Sequence, residues 1–166
     1  LAEVKQVLAE VAEKFLVLNA DDPLSAGMRR LTRAEPICFT MDPRSELVRD
    51  HVRAGGRAFV LEEGVNGELI AFYHGETHLQ LLWTHLIPAT IEGHARFNVA
   101  NAMAAAAVAT GLGVPLETVR QGLRTFDTSY FQTPGRLNFY DEHPFRVIVD
   151  YAHNPHAMTE IAAFLR

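Results

Sequence analysis

An alanine-rich segment over residues 100–109 constrains the fold of this chain more than any other feature of its sequence. Alanine has the highest helix propensity, and the segment contains neither proline nor glycine, so the sequence predicts a helix here. Asn98 is suited to cap the start of this helix, and Gly111 and Gly113 are suited to end it. Because its side chains are small, we expect the helix to pack closely against a neighbouring element.

Helix-like and strand-like segments alternate over the first 54 residues. Apolar residues at the start of the chain recur every three or four positions, as on one face of a helix, whereas the later short apolar runs are typical of buried strands. Asp22 can cap a helix that begins at Pro23, and Gly55-Gly56 can end another. The sequence therefore predicts helices over residues 1–13, 23–31 and 43–54, with strands over residues 15–18 and 37–40.

Three β-type segments follow, separated by short glycine-containing turns at residues 64–67 and 74–77. Such turns join neighbouring strands directly, so the strands that they connect run in opposite directions. The spacing therefore predicts an antiparallel meander of strands over residues 57–61, 68–73 and 78–82.

The last third of the chain predicts a change of domain. Residues 115–125 predict a short helix, and residues 126–134 are irregular and rich in Thr, Ser, Gln and Pro. A new sheet with strands over residues 137–140 and 146–149, then a helix over residues 155–165, is expected beyond them. We expect an α/β fold in which residues 1–126 belong to one domain, 127–136 form a linker and 137–166 begin a second domain.

Composition and charge exclude several classes of protein. The chain has 166 residues and a formal net charge of -5, so no general attraction to nucleic acid is expected. A single cysteine, Cys38, excludes an intramolecular disulfide and a cysteine-based metal site. No apolar run approaches the ~20 residues of a membrane span, and we expect a cytoplasmic protein. The chain begins at Leu1 rather than at methionine, which indicates a processed or cut chain.

The strongest functional motif lies near the C-terminus, where the apolar residues 147–149 are followed by Asp150 and then by Asn154-Pro155. A strand, a carboxylate at its carboxyl end and a capped helix start form the kind of edge at which α/β sheets bind ligands. Asp150 can accept hydrogen bonds from hydroxyl groups such as those of a ribose. The alternative is that Asp150 and Asn154 only form turn and cap hydrogen bonds.

A second motif, Phe97-Asn98-Val99-Ala100-Asn101, stands at the start of the alanine-rich helix. The two asparagines are three residues apart and therefore share a helix face. An amide both donates and accepts hydrogen bonds, as the edge of an adenine ring requires. Taken alone, Asn98 is better explained as a helix cap, whereas Asn101 has no capping role and is unfavourable inside a helix.

A third motif, Thr133-Pro134-Gly135-Arg136, lies at the expected domain boundary. Proline and glycine favour a bend, and a guanidinium group at that bend can reach a phosphate held between two domains. Most Pro-Gly-Arg tripeptides in proteins are exposed turns, so the motif is weak evidence for a phosphate site by itself. Its position before Asp150 is what makes it informative.

These three motifs, in this order, resemble the Mur ligase family of ATP-dependent amide-bond ligases. In that family the middle domain ends with an Asn-x-x-Asn helix, and the last domain opens with a Gly-Arg turn followed by a strand that ends in aspartate. The resemblance covers nearly the whole chain and includes residues 18–23, 97–101, 134–138 and 150–155. Within the family, Asn138 after Gly-Arg-Leu favours the members that join arginine to aspartate side chains of a polymer.

The resemblance implies a fold and a set of site residues. The fold is the latter half of a central nucleotide-binding domain with an antiparallel meander, followed by the start of a Rossmann-like C-terminal domain. Asn98 and Asn101 would hold the adenine ring of ATP, and Arg136 would approach its phosphates across a cleft between the two domains. Asp150 would bind the ribose.

The resemblance also implies a reaction and its partners. His153 and Asn154 would line the same ATP cleft. In the family, ATP with Mg²⁺ phosphorylates a carboxylate, and an amine then attacks the acyl phosphate to form an amide. The amine would belong to arginine or another amino acid, and the carboxylate would belong to a polymer. A homo-oligomer is left open.

One departure from the family pattern bears on activity. The family's phosphate loop, of the Gly-x-Gly-Lys-Ser/Thr type, is absent from the 166 residues, and the Mg²⁺ ligands are expected outside them. We therefore expect that this chain alone neither hydrolyses ATP nor forms an amide. A peptidoglycan-precursor ligase, a folylpolyglutamate synthetase and a non-catalytic nucleotide-binding module stay open as alternatives.

Other polar residues are best explained by structural roles. The carboxylates of Asp21-Asp22 precede a proline, which is typical of a helix cap, although Asn19 stays a candidate for a position near the nucleotide. The histidines are scattered along the chain, and we assign no metal site to them. His74 and His78 fall in the predicted hairpins and are expected at the surface.

Overall fold

The computed structural model describes residues 2–166. Leu1, which the sequence places in the first predicted helix and domain, lies outside the described residues. The chain has an α/β fold, as its sequence predicts. In chain order the elements are α1 (Ala2–Val11), β1 (Phe15–Asn19), α2 (Pro23–Gly27), β2 (Glu35–Thr40), α3 (Glu46–Arg53), β3 (Arg57–Gly64), β4 (Gly67–His74), β5 (Thr77–Trp83), α4 (Arg96–Gly111), α5 (Leu116–Thr125), β6 (Asn138–Tyr140), β7 (Val147–Val149) and α6 (Pro155–Phe164).

A mixed five-stranded sheet, with the strand order β1-β2-β3-β4-β5, forms the centre of the structure. The first three strands are parallel, whereas β3, β4 and β5 pair antiparallel through tight turns. At the first of these turns Gly67 has a φ of 104°, a conformation that a residue without a side chain adopts at no steric cost. The predicted meander is therefore confirmed.

The alanine-rich helix α4 packs on one face of this sheet and buries the largest apolar cluster. Val99, Met103 and Ala107 are fully buried against apolar side chains of the strands. At the other end of the helix, a side chain at Gly111 would collide with the ring of Phe15, so the helix approaches β1 as closely as its backbone allows. The predicted close packing of this helix is confirmed.

Helix α4 runs antiparallel to the parallel strands. Its C-terminal end lies beside the first residue of β3, because the Arg57 guanidinium donates a hydrogen bond of 3.2 Å to the carbonyl oxygen of Thr110. The same guanidinium forms a paired contact with the Glu35 carboxylate at 2.6 and 2.8 Å, which lowers the pKa of that carboxyl. The N-terminal end of α4 is therefore directed toward the carboxyl ends of the parallel strands, where α/β sheets bind ligands.

The opposite face of the sheet is covered by α3 and buries a smaller cluster. Cys38, Val48, Ala58 and Val60 form its centre. Burial raises the pKa of the Cys38 thiol to about 11, so the thiol stays protonated at neutral pH.

Several element boundaries differ from those that the sequence predicts. Helix α3 begins at Glu46 rather than at Pro43, because the Asp42 carboxylate accepts a hydrogen bond of 2.9 Å from the Arg44 amide and holds a turn there. Helix α2 ends at Gly27 and continues only as a 3₁₀ turn over Met28–Arg30. At the start of α3 a local hydrogen bond thus overrides the apolar pattern.

Helix α1 is confirmed as a helix, but its apolar face is not buried by the rest of the described chain. Val4, Val7, Leu8 and Val11 are each more than half exposed, and among residues 4–11 only Ala9 is fully buried. No helix among residues 2–166 has both the length and the hydropathy needed to cross a bilayer.

The C-terminal part forms a separate two-stranded antiparallel sheet of β6 and β7, followed by α6. The predicted new sheet is confirmed, although β6 begins at Asn138 because Leu137 has a φ of 50°, outside the extended region. An aromatic contact joins this part to α4, since the Phe164 ring lies 6.4 Å from that of Phe97 and 6.3 Å from that of Phe139.

His51 should make the stability of the chain depend on pH. Its ring is buried at the end of α3, and burial lowers its pKa in the folded protein below the unfolded value of about 6.5. As the pH falls below that value, the unfolded chain binds the proton first, so the free energy of unfolding decreases. We expect lower stability at about pH 5.5 than at about pH 7.5 in urea denaturation.

The matched variant is His51→Gln, which keeps a donor for the carbonyl oxygen of Arg57 that the ring contacts at 3.1 Å but does not titrate. It should flatten the dependence on pH, whereas His74→Gln, at an exposed histidine, should keep it. An equal slope in His51→Gln and the unchanged chain would contradict the assignment.

Candidate functional site

A cleft of about 740 Å³ lies between α4 and α5 on one side and the C-terminal sheet and α6 on the other. Clefts that bind small molecules typically measure ~300–1,000 Å³, so this one has the size for a nucleotide. All six residues that the sequence predicts for a nucleotide site line it: Asn98, Asn101, Arg136, Asp150, His153 and Asn154. Three motifs that are distant in sequence therefore meet at one place.

The turn that precedes α4 is held by a buried threonine. The Thr90 hydroxyl donates to the carbonyl oxygens of Thr84 and Ile87 and accepts from the amide of Gly93. Its backbone carbonyl accepts a hydrogen bond of 2.8 Å from the amide of Ala95, the N-cap residue of α4. This turn fixes where the two asparagines of the helix stand in the cleft.

An ion pair anchors the first residue of α4 to the sheet. The Arg96 guanidinium donates two hydrogen bonds to the carboxylate of Glu68 in β4, and both side chains are partly shielded from water. A paired guanidinium and carboxylate fix orientation as well as distance. The start of the helix is thereby attached to the central sheet as well as to the turn that precedes it.

Asn98 is not the cap of α4, contrary to the interpretation that its position favours when taken alone. The helix starts earlier, with Ala95 as its N-cap, so Asn98 lies within the first turn. Its amide donates a hydrogen bond of 2.6 Å to the carbonyl oxygen of Ala89, and its oxygen accepts one of 3.2 Å from Asn101. The Asn98 side chain therefore orients Asn101.

Asn101 is exposed at the cleft wall, and its side-chain oxygen has no hydrogen bond within residues 2–166. The predicted shared face of the two asparagines is confirmed by the hydrogen bond between them. Of the pair, Asn101 offers the freer donor and acceptor to a heterocyclic ring.

Asp150 forms the turn hydrogen bonds that were the alternative to a binding role. One carboxylate oxygen accepts from the amide of Ala152 at 2.7 Å, and the other accepts from the amide of Leu137 at 2.9 Å. Each oxygen has a second lone pair, so Asp150 can still accept hydrogen bonds from hydroxyl groups of a ligand. Asp150 thus ties the end of β7 to Leu137, the residue before β6, while facing the cleft.

Arg136 lies between these tied segments, with an exposed side chain. Its guanidinium stands over the ring of Tyr151, 4.9 Å from the ring centre. No carboxylate within the described residues pairs with it, so the positive charge is available to an anion. The bend predicted from Pro134-Gly135 is present, because Gly135 has a φ of 71°.

His153 and Asn154 lie at the start of α6. Asn154 caps the helix, since its side-chain oxygen accepts a hydrogen bond of 2.9 Å from the amide of Ala157. The Nδ1 atom of His153 lies 3.0 Å from the carbonyl oxygen of Tyr151, so Nδ1 donates and the ring is held on the cleft side of the turn. The cap role predicted as the alternative for Asn154 is confirmed.

The carboxylate pair Asp21-Asp22 has structural roles. Asp22 caps α2 with a hydrogen bond of 3.0 Å from the amide of Leu24, as predicted. Asp21 accepts hydrogen bonds from the hydroxyl of Thr40 and the amide of Met41, which joins the ends of β1 and β2. Asn19 binds the amide of Asp21 and does not line the cleft.

The histidines and acidic residues show no arrangement typical of a metal site. His74 and His78 are exposed, as predicted. Among residues 2–166, no three His, Cys, Asp or Glu side chains are grouped as metal ligands.

Three residues that line the cleft or hold its walls have no role predicted from the sequence. Thr90 and Asn138 are buried polar residues that organise turns, and Tyr151 supports the Arg136 guanidinium. Burial of Thr90 and Asn138 depends on contacts distant in sequence, so no local pattern reveals it. Tyr151 stands within the Asp150 motif, but it is fifteen residues from Arg136 in the sequence, so the sequence alone gives no signal of their contact.

Comparison with known proteins gives two groups of relatives. The chain is 40% identical over 168 residues to a cyanophycin synthetase of Synechocystis sp. and 42% identical over 174 residues to that of Trichormus variabilis, in both cases over 100% of the chain. It is 34% identical over 148 residues, 87% of the chain, to the UDP-N-acetylmuramoyl-L-alanyl-D-glutamate--2,6-diaminopimelate ligase of Geobacillus kaustophilus. No family model matches the chain.

The chain covers only a part of each relative. It spans 19% of the length of the Synechocystis protein, 18% of the Trichormus protein and 26% of the Geobacillus ligase. The similarity therefore concerns one stretch of much longer proteins.

Asp150 should hold the linker as well as face the cleft. Asp150→Ala removes the acceptor of the Leu137 and Ala152 amides, so both should exchange their hydrogen about fivefold or more faster, as the loss of ~1 kcal/mol per hydrogen bond implies. Hydrogen exchange followed by NMR measures this directly. Amides of β3 serve as the internal control, and unchanged exchange at Leu137 would contradict the role.

Proposed function

The chain belongs to the Mur ligase family over the stretch that it shares with these relatives, as its motifs predict, and we propose that it forms the adenosine side of an ATP site. The observation that carries this proposal is the meeting of Asn101, Arg136 and Asp150 in one cleft. These residues come from three separate motifs, and together they offer an amide, a cation and a carboxylate. A base, a phosphate chain and a ribose call for these groups in turn.

The roles that we propose follow the chemistry of each side chain. Asn101, oriented by Asn98, hydrogen bonds to the edge of adenine. Asp150 accepts the ribose hydroxyls on the lone pairs that its backbone contacts leave open. Arg136 moves from the ring of Tyr151 to the phosphates, which exchanges a weak cation–π contact for a charge-assisted hydrogen bond.

His153 and Asn154 complete the same wall. Asn154 fixes the first turn of α6, whose first residues line the cleft. His153 stands beside Tyr151, where it restricts the access of water to the nucleotide.

We propose that the whole protein joins arginine to the side-chain carboxylate of aspartate in a polymer, at the expense of ATP with Mg²⁺. Identity of about 40% over the entire chain to cyanophycin synthetases supports this choice. ATP supplies the phosphoryl group that activates the carboxylate. No Gly-x-Gly-Lys-Ser/Thr sequence occurs in the 166 residues, so we expect the phosphate loop and the Mg²⁺ ligands in other segments of the whole protein.

A second candidate is a peptidoglycan-precursor ligase that adds an amino acid to a muramoyl peptide. Identity of 34% over 87% of the chain to the diaminopimelate ligase of Geobacillus kaustophilus supports it. The alignment is shorter and the identity lower than with the cyanophycin synthetases, so we place it second.

We also propose that the two sheets belong to two domains. Residues 1–126 would contribute to the central domain and residues 137–166 to the last domain, with residues 127–136 as the hinge between them. In this arrangement the nucleotide binds at the boundary, which is a common place for cofactor clefts.

The first test is nucleotide binding by the 166-residue chain, measured by calorimetry with adenosine and ADP. Asn101→Ala should weaken the binding of both ligands about three- to tenfold, as the loss of one neutral hydrogen bond implies. Arg136→Ala should weaken ADP binding by about tenfold or more and leave adenosine binding unchanged, since only ADP carries phosphates.

The exposed residue His74 provides the control, because it does not line the cleft and His74→Ala should bind as the unchanged chain does. The chain should also release no ADP from ATP above a protein-free blank. Absence of ADP binding would contradict the proposed site, and release of ADP would contradict the assignment of catalysis to other segments.

The second test concerns the substrate. The matching stretch of the Synechocystis cyanophycin synthetase is replaced by this chain, and that of the Geobacillus ligase is replaced in the same way. We expect arginine-dependent phosphate release only from the first chimera, supplied with an aspartate polymer. Diaminopimelate-dependent release from a folded second chimera, with none from a folded first, would favour the peptidoglycan function.

A further inference from the structure

Asn138, the first residue of β6, is a buried polar residue whose role the proposed nucleotide contacts do not include. Only 2% of its surface is exposed, although asparagine is usually an exposed residue. A polar side chain stays in such a place only when its hydrogen bonds are satisfied inside the protein. The partners of Asn138 therefore indicate what it does.

All partners of the Asn138 side chain belong to the segment that precedes it. Its amide donates to the carbonyl oxygens of Thr128 at 2.7 Å and Thr133 at 2.9 Å, with a longer contact of 3.3 Å to that of Arg136. Its oxygen accepts a hydrogen bond of 2.7 Å from the amide of Gly135. One side chain thus closes the loop over residues 128–136 from the inside.

The backbone of Arg136 is held on both sides by this network. Its own amide donates to the carbonyl oxygen of Thr133 at 3.1 Å, and the next amide, that of Leu137, donates to Asp150. Gly135 and Leu137 both have positive φ values, 71° and 50°. For Leu137 this conformation is unfavourable, so it persists because the surrounding hydrogen bonds and its buried side chain hold it.

The side chain of Arg136 differs from its backbone. It is exposed, and its guanidinium rests on Tyr151 with no carboxylate partner in the described part of the chain. A fixed backbone beneath a free guanidinium lowers the conformational entropy that is lost when the cation binds a phosphate.

We propose that Asn138 is a positioning residue for Arg136, which sets the direction from which the guanidinium reaches the phosphates. This inference rests on the proposed nucleotide site. It assigns to Asn138 a selective effect, because its hydrogen bonds hold the loop that carries Arg136 and none of them reaches Asn101 or Asp150. Loss of Asn138 should reduce the preference for ADP over adenosine and leave the recognition of the base and ribose intact.

A purely structural role for Asn138 makes a different prediction. If the side chain only stabilised the β6–β7 hairpin, its loss would move Asp150 as well, and adenosine and ADP binding would weaken equally. The ratio of the two affinities therefore separates the two roles, whatever the change in overall stability.

The experiment measures adenosine and ADP affinities of the 166-residue chain carrying Asn138→Ala, Arg136→Ala or both. Asn138→Ala should weaken ADP binding by about tenfold, similar to the effect of losing a charge-assisted contact, with adenosine binding unchanged. In the Arg136→Ala background it should have no further effect, because the group that it positions is gone. Asn138→Ser can donate one of the hydrogen bonds, so its ADP affinity should lie between those of the unchanged chain and Asn138→Ala.

Gln132→Ala is the matched control, since Gln132 lies in the same loop but is exposed, and the hydrogen bonds of its side chain are long, at 3.3 and 3.4 Å. It should leave both affinities unchanged. Equal weakening of adenosine and ADP binding by Asn138→Ala, or an additive effect with Arg136→Ala, would overturn the inference.

A second measurement separates this inference from the proposed function. Hydrogen exchange of the Gly135 amide should be faster in Asn138→Ala than in the unchanged chain, and unchanged exchange would refute positioning even if ADP binds. If the unchanged chain binds no ADP, the proposed site itself fails. If it binds ADP with loss on Arg136→Ala but not on Asn138→Ala, only the inference fails.

Discussion

The close contact between α4 and the parallel strands is the constraint on which the rest of the structure depends. Small residues along the helix, and the absence of a side chain at Gly111 beside Phe15, let the helix axis approach the sheet. Burial of this face supplies the largest apolar cluster of the described residues. Because the helix runs antiparallel to β1 and β2, the same contact directs Asn98 and Asn101 toward the cleft.

The two walls of the cleft are held by different forces. Apolar packing on the sheet, together with the ion pair of Arg96 and Glu68, holds the α4 wall. Hydrogen bonds to backbone groups hold the other wall, with Asp150 and Asn138 as the main acceptor and donor. Apolar packing is not directional, so the α4 wall does not depend on the geometry of any one contact. The other wall depends on each of a few hydrogen bonds.

The sequence was sufficient for those features that arise from local patterns. The alternation of elements, the meander and the alanine-rich helix agree with the sequence-based expectations. The six residues predicted for a nucleotide site line one cleft, and their binding roles stay predictions. The predicted start of α4 was wrong. The Thr90 hydroxyl, bonded to the carbonyl oxygen of Thr84 six residues earlier, holds the turn before the helix, and the Asn98 side chain bonds to Ala89 instead of capping the helix. The strand start at Leu137 was wrong because a hydrogen bond to Asp150, thirteen residues away, holds a left-handed conformation.

The two backbone contacts of Asp150 change how genetic data on this stretch should be interpreted. In a substitution scan scored only by growth, position 150 would rank among the most sensitive positions whether or not its carboxylate ever meets a ribose. Among substitutions at positions 137 and 152, proline should reproduce this loss, because it removes the backbone N–H from which the carboxylate accepts. A growth score therefore combines the structural tie between the two segments with any role of Asp150 in binding. Only an assay that measures ligand binding separates these two contributions.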